Sequence, residues 1–267
     1  MGVHRGPRFV AQLVFTVLVC AFLIVPVVLS VLAGVSENFF IGMKSGLTLR
    51  WIAEVWSLYR DSIFRSMQIA IACLASTLVL GVPIAYVLAR RPNRWTRLFE
   101  ELLVLPVAVP GLATALALIL FYGEWRAFRA SWTFILVGHV LFTLPFMVRS
   151  VLAVMSAIDL QMLEDAAASL GAGFLKRFVG VIIPNARPGI LAGALMVVTL
   201  SIGEFNITWM LHTPLTKTIP VGLADSYASM RLEIGSAYTI VFFVMIVPLL
   251  IAMQWLSTER KLREAAE

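Results

Sequence analysis

Long apolar runs alternate with short polar connectors from one end of the chain to the other. Runs over residues 9–33, 63–89, 100–122, 132–152, 190–211 and 236–256 each reach about 20 residues, the length that crosses a hydrocarbon core. In lipid the backbone must satisfy its own hydrogen bonds, so each run is expected to be a helix. The pattern predicts an all-α, polytopic membrane protein with six transmembrane helices, read as one transmembrane domain over residues 1–267. The first run is longer than a signal-peptide core and lacks a small-residue cleavage pattern, and it is read as a retained span. No repeat or low-complexity linker divides the chain.

Prolines punctuate the runs. Pro26, Pro83 and Pro145 sit inside spans, where neighbouring helices can satisfy the carbonyls that a missing amide frees. Pro106, Pro110 and Gly111 fall within six residues and predict a break at the start of the third run, a place for a hinge.

Composition narrows the class. Of 267 residues 60% are hydrophobic and 13% charged, with a mean hydropathy of +0.93, well above soluble domains. The net charge of +6 would suggest nucleic acid in a soluble protein; here it has to be sorted by side of the membrane, and no nucleic-acid partner is expected. Six spans put both termini on one side. Thirteen of the 21 Lys and Arg fall in the segments on that side, including Arg5, Arg8, Arg149, Arg187, Arg260, Lys261 and Arg263. The connector carrying Arg90, Arg91, Arg94 and Arg97 is the sharpest case. Basic residues in short loops stay in the cytoplasm, so both termini are expected inside. Cys20 and Cys73 lie in apolar runs with no paired spacing, which supports neither a disulfide nor a metal site.

The segment over 153–189 is too polar for lipid and too rich in helix formers for a slack loop. Ile158 to Ala168 predicts a short helix with Asp159 near its start and Gly171 as a left-handed cap. A second short helix is expected through Phe174 to Phe178, stopping at Pro184. On composition two readings stay open. One is a dock for a soluble protein, since alanines let backbones approach closely. The other is a hairpin on the lipid headgroups, with Phe174, Leu175 and Phe178 in the interface and Lys176 and Arg177 on phosphates.

The segment resembles the cytoplasmic signature loop of binding-protein-dependent ABC importer permeases: Glu-Ala-Ala, three residues, Gly, nine residues, then Ile-x-Leu-Pro. Here Asp165-Ala166-Ala167 is followed by three residues, Gly171, nine residues, and Val181-Ile182-Ile183-Pro184. Asp165 replaces the Glu of the pattern, and Glu164 offers a longer carboxylate one position earlier. The resemblance implies a coupling helix that docks on a cytoplasmic ATPase dimer, with Glu164, Asp165, Ala166, Ala167, Gly171 and Pro184 as the coupling residues. It also implies a second permease, identical or paralogous, an extracytoplasmic solute-binding protein, and a bacterial inner-membrane location. The subgroup it resembles handles polyamines, phosphonates, ferric iron and thiamine.

Consistent with a separate motor, the chain carries no Gly-x-x-x-x-Gly-Lys-Ser/Thr loop. No enzymatic activity and no cofactor of its own are expected, ATP and Mg being left to the partner. Glu204, the one acid deep inside a predicted span, has two readings: with Asn206 it lines a solute pathway, or it makes an interhelical hydrogen bond to Asn206 or Thr208. A rival function follows from the first, a secondary transporter with Glu204 carrying a coupling proton; a non-transporting scaffold that uses the loop only for docking is another. His139, alone among apolar neighbours, is read as a hydrogen bond across helices.

Overall fold

The computed structural model describes residues 7–264. Arg5 lies outside the described residues, as do the side chains of Arg8, Arg260, Lys261 and Arg263, which carry part of the charge asymmetry above. Within the described residues the regular secondary structure is entirely helical, joined by short turns and loops, with one isolated backbone bridge between Ser36 and Leu47.

Helix α1 runs Pro7–Gly34, and a short 3-10 turn over Gly42–Ser45 precedes α2, Arg50–Arg90. Asn93 then starts α3, Arg94–Ala108: its side chain accepts from the Trp95 and Thr96 amides while Thr96 reaches back to the Asn93 amide, a full capping box. Val109 is extended, Pro110 fixes the entry, and α4, Gly111–Tyr122, leaves at 99° to α3. The expected break at Pro106 to Gly111 is therefore a sharp corner. One short turn, α5 (Arg126–Arg129), leads into α6, Trp132–Ala157. Next come α7, Leu160–Ser169, and α8, Phe174–Arg177, then a π-helical stretch over Phe178–Ile182 that passes without interruption into α9, Ile183–Gly203. The last elements are α10, Asn206–Leu211, α11, Ile219–Ala228, and α12, Leu232–Glu264.

Five helical segments are long and apolar enough to cross a membrane, and the bent pair of α3 and α4 brings the number to six if it makes one span. Three expected boundaries move. Helix α2 begins at Arg50 rather than near 63, because its first turns carry charges that depress hydropathy without disfavouring helix. The run over 190–211 is two helices, interrupted at Glu204 and Phe205. Pro184 does not stop the helix before it. The wider π turn over Phe178–Ile182, with the Ile183 amide bonded to the Phe178 carbonyl, keeps the proline ring off the carbonyl it would strike in a regular helix. Phe174–Gly203 is consequently one apolar element of 30 residues.

The chain divides into two compact units. In the first, residues 7–60 and 222–244, Arg231 pairs with Glu54 at 2.7 Å and donates to the Tyr59 hydroxyl at 3.1 Å. Glu233 accepts from the Phe39 amide, and the Trp51 indole donates to the Ser36 carbonyl. These bonds tie the segment after α1 to the helix starts of the same unit.

The second unit, residues 61–221 and 245–264, holds the two apolar clusters. One joins Cys73, Val82 and Ala85 of α2 to Met147, Val151 and Met155 of α6 and to Ala186, Ala194 and Val197 of α9. The other gathers Ile69, Ala115, Leu118, Phe134, Ile135, Ile207 and Leu211. Lipid tails are as apolar as these side chains, so close packing rather than water exclusion must hold the helices together. Small residues supply it at the α6–α9 contact: a methyl group on Gly189 would stand 2.5 Å from the Ser150 carbonyl oxygen.

Candidate functional site

Helix α7 is built as its sequence predicts. The Asp159 carboxylate accepts from the Met162 amide at 3.0 Å, capping the start. At the other end Gly171 takes φ 80°, with its amide on the Ala168 carbonyl and the Ala172 amide on the Ala167 carbonyl, a complete left-handed cap.

A helix repeats every 3.6 residues, so Leu160 and Glu164 share one face while Asp165 stands on another. Leu160 joins the apolar cluster, and Glu164 is only 1% exposed. Its carboxylate accepts the Tyr86 hydroxyl and lies 3.0 Å from Nη2 of Arg90, while Arg90 Nη1 donates to the Tyr86 oxygen at 2.9 Å. Tyr86 and Arg90 are one turn apart near the end of α2. The Tyr86 ring packs edge-on against Phe178 at 5.2 Å and near Phe174 at 6.2 Å, so the π-helical stretch closes over the same node. A buried carboxylate is tolerable only when paired and hydrogen-bonded, and this one has both an ion pair and a hydroxyl.

The opposite face is open. Asp165, Ala166 and Ser169 are exposed and, with Asp159, Gln161 and Met162, border a shallow concavity. Ala167 is half-buried, and Gly171 and Pro184 are exposed. Leu170 at the tip is 90% exposed, an apolar knob beside the acids. The structure thus separates the two neighbouring acids, Glu164 inward and Asp165 outward.

The second set of polar residues lies where α9 and α10 are interrupted. Glu204 is buried; one carboxylate oxygen accepts from the Ile207 amide at 2.9 Å and the other from the Thr208 amide at 3.0 Å and its hydroxyl at 3.2 Å. It satisfies the first-turn amides that a helix start leaves open. His139 of α6 is buried beside it, with Nδ1 on Ser201 at 2.9 Å, Nε2 on Thr208 at 2.7 Å and Nε2 3.8 Å from the Glu204 carboxylate. His139 bonds across helices, to Ser201 of α9 and Thr208 of α10; the bond of Glu204 to Thr208 is a local cap four residues along the chain, not the bond between packed helices that was expected. Asn206 is exposed and makes no bond to Glu204; its Cβ lies 3.1 Å from where a methyl on Gly111 would be, which brings the start of α10 against the start of α4. The two helix breaks therefore meet.

Sequence reasoning missed Tyr86, Arg90 and the proximity of His139 to Glu204. A signal existed for the last: two polar groups at membrane depth need partners, and each was the other's best candidate. Among the described residues no three His, Cys, Asp or Glu side chains converge in a way that could hold a metal ion.

The family model described as "Binding-protein-dependent transport system inner membrane component" matches residues 78–262. The chain is 31% identical over 167 residues to the spermidine/putrescine transport system permease protein of Escherichia coli, covering 57% of this chain and 60% of that relative. It therefore spans less than two thirds of the length of that protein. It is 28% identical over 222 residues to the putrescine transport system permease protein of Escherichia coli, covering 79% and 77% of the two chains. To the sulfate transport system permease protein of Synechocystis it is 26% identical over 207 residues, covering 72% and 75%. Among solved structures, a bacterial alginate ABC transporter matches with a TM-score of 0.74 at 13% identity over 93% of each chain. An inward-facing methionine ABC transporter matches at 0.61 and 16% identity, over 79% of this chain and 97% of that one. At such identities the likeness is one of fold.

Proposed function

The chain belongs to the family of binding-protein-dependent transport system inner membrane components, and on that premise we propose that it is the transmembrane permease subunit of an ABC importer. In this reading the corner between α3 and α4 lies within one span, giving six spans with both termini cytoplasmic and α7 on the cytoplasmic side. A second permease completes the pathway, two ATPase subunits that bind ATP and Mg sit below, and a solute-binding protein docks above.

The observation that carries the reading is the two-faced α7. Its outward face combines acidic Asp159 and Asp165, small Ala166, Ser169 and Gly171, and the exposed Met162 and Leu170. That mixture suits insertion into a cleft with basic and apolar walls, and Asp165 rather than Glu164 is the acid available to the ATPase. Closure of the ATPase dimer would bring the two α7 helices of a permease pair together and shift the spans from inward to outward access. No bond in the solute is broken.

Polyamines are the first solutes to try, because two of the relatives are permeases for spermidine/putrescine and putrescine; sulfate is the second, after the third relative. Glu204 gives no ground for choosing between them, because its carboxylate is engaged by the α10 amides. That engagement also weighs against the proton-coupled alternative.

The test is uptake of labelled putrescine, and separately of sulfate, into proteoliposomes holding the chain with its copurified ATPase and binding protein. Uptake that needs ATP and survives an uncoupler is expected, and Gly171→Trp should abolish it, along with copurification of the ATPase, while the spans stay folded. Gradient-driven uptake without any ATPase would overturn the reading.

A further inference from the structure

We propose that Glu164, Tyr86 and Arg90 form a latch that fixes α7 to the end of α2, so that a push on α7 is delivered to a membrane span instead of being absorbed by the surrounding loop. This rests on the reading that α7 docks on an ATPase.

Helix α7 is short, and an isolated helix of ten residues is marginal without tertiary support. It is bounded by Ile158 on one side and by the turn through Gly171 to Gly173 on the other, both non-helical. Its own polar side chains otherwise bond within the helix: Asp159 to the Met162 amide and Ser169 to the Asp165 carbonyl. Among the described residues no other side-chain hydrogen bond or ion pair joins α7 to a membrane-spanning helix. The node is also tight. Three polar contacts among three side chains form a closed triangle, with Glu164 and Tyr86 buried at 1% and 5% exposure and Phe174 and Phe178 packed against the tyrosine ring.

Charge makes the attachment directional. A buried carboxylate pulled away from Arg90 would be left unpaired, which costs far more than the pair contributes when intact. Arg90 is partly exposed, so it can be lost without burying an orphan cation, whereas Glu164 cannot lose Arg90 without becoming an orphan anion. Displacing α7 from α2 is therefore resisted at this polar node in addition to the apolar packing of Leu160, and α2 has to follow.

Hydrogen exchange on the full chain in lipid nanodiscs, with and without its copurified ATPase, tests this. In the chain alone, Glu164→Gln should speed exchange of the α7 amides on the order of tenfold, the scale of one charge-assisted bond. Arg90→Ala should speed it more, Arg90→Ala with Glu164→Gln should be no worse than Arg90→Ala alone, and Arg90→Lys should remain near wild type. Tyr86→Phe removes only a hydroxyl and serves if a charge variant fails to fold; it should raise exchange a few-fold. With the ATPase bound, ATP and vanadate should alter exchange in both α7 and residues 80–90 of wild type, but in α7 only in Glu164→Gln.

Unchanged α7 exchange in Glu164→Gln, additive effects of Arg90→Ala and Glu164→Gln, or a full nucleotide response in residues 80–90 of Glu164→Gln would each overturn the latch. If no ATPase copurifies with the wild-type chain, the docking reading falls and the transmission role with it. The exchange comparison in the chain alone still decides whether the triad anchors α7.

Discussion

Met230, at the end of α11, holds φ 57° without being glycine. It occupies a left-handed cap, with its amide on the Tyr227 carbonyl and the Arg231 amide on the Ser226 carbonyl. A side chain there costs about 1–2 kcal/mol through the clash of Cβ with backbone. Its side chain is 73% exposed, so little packing is lost on removing it. Met230→Gly should therefore stabilise the protein by about 1 kcal/mol net of the added unfolded-state entropy, seen as a higher thermal midpoint in detergent; a lower midpoint would show that the methionine packs in the assembled state. Gly171 is the same conformation met by the residue that suits it, which is why that cap was legible in the sequence and the one at Met230 was not. Glu204 was legible as an anomaly, a carboxylate at membrane depth, but its role as a helix cap was hidden because the run around it reads as unbroken apolar helix.

At the scale of elements, periodicity and length located the spans, and chemistry that hydropathy ignores moved their ends. The capping box at Asn93 and the proline-glycine corner before α4 are local and can be read directly. The π turn ahead of Pro184 cannot, since it depends on how residues 178–182 settle against Tyr86 and the neighbouring helices. Close packing of α6 on α9 is likewise a tertiary fact written in single glycines. Gly189→Ala should destabilise the protein by about 1–3 kcal/mol, because its methyl would press on the Ser150 carbonyl and a backbone atom cannot swing aside. Gly180→Ala, where nothing lies within 4 Å of the new methyl, should be neutral or slightly stabilising. Comparing the two thermal midpoints separates packing from propensity, and equal losses would argue against the tight α6–α9 contact.

For the whole molecule the decisive quantity is which side each loop occupies. The proposed topology puts the arginine-rich connector at 90–97 and the α7 loop inside and the 3-10 turn over Gly42–Ser45 outside. With exposed Cys20 replaced by Ala and buried Cys73 retained, a Lys44→Cys variant in intact cells should react with a membrane-impermeant maleimide. A Ser169→Cys variant should react only after permeabilisation. The reverse pattern would invert the molecule and remove any cytoplasmic partner from α7. Charge bias, the loop motif and the presence of several membrane-length apolar helices were readable from the sequence, since each depends on residue type and spacing. The three-residue node beneath α7 was not, because Tyr86 and Glu164 are 78 positions apart and meet only when the helices pack.

The opposed directions of Glu164 and Asp165 make α7 an angular gauge. Successive residues are separated by about 100° around a helix. A slip of one position that carried Asp165 toward Arg90 would turn Glu164 to the place of Leu163 and Ala166 to the place of Asp165. The inward acid would then be shorter by one methylene and fall short of the tyrosine, and the outward position would lose its charge. Reach and charge together keep the helix in phase, and two adjacent carboxylates could not be told apart from their spelling alone because only the packed helix assigns each a side.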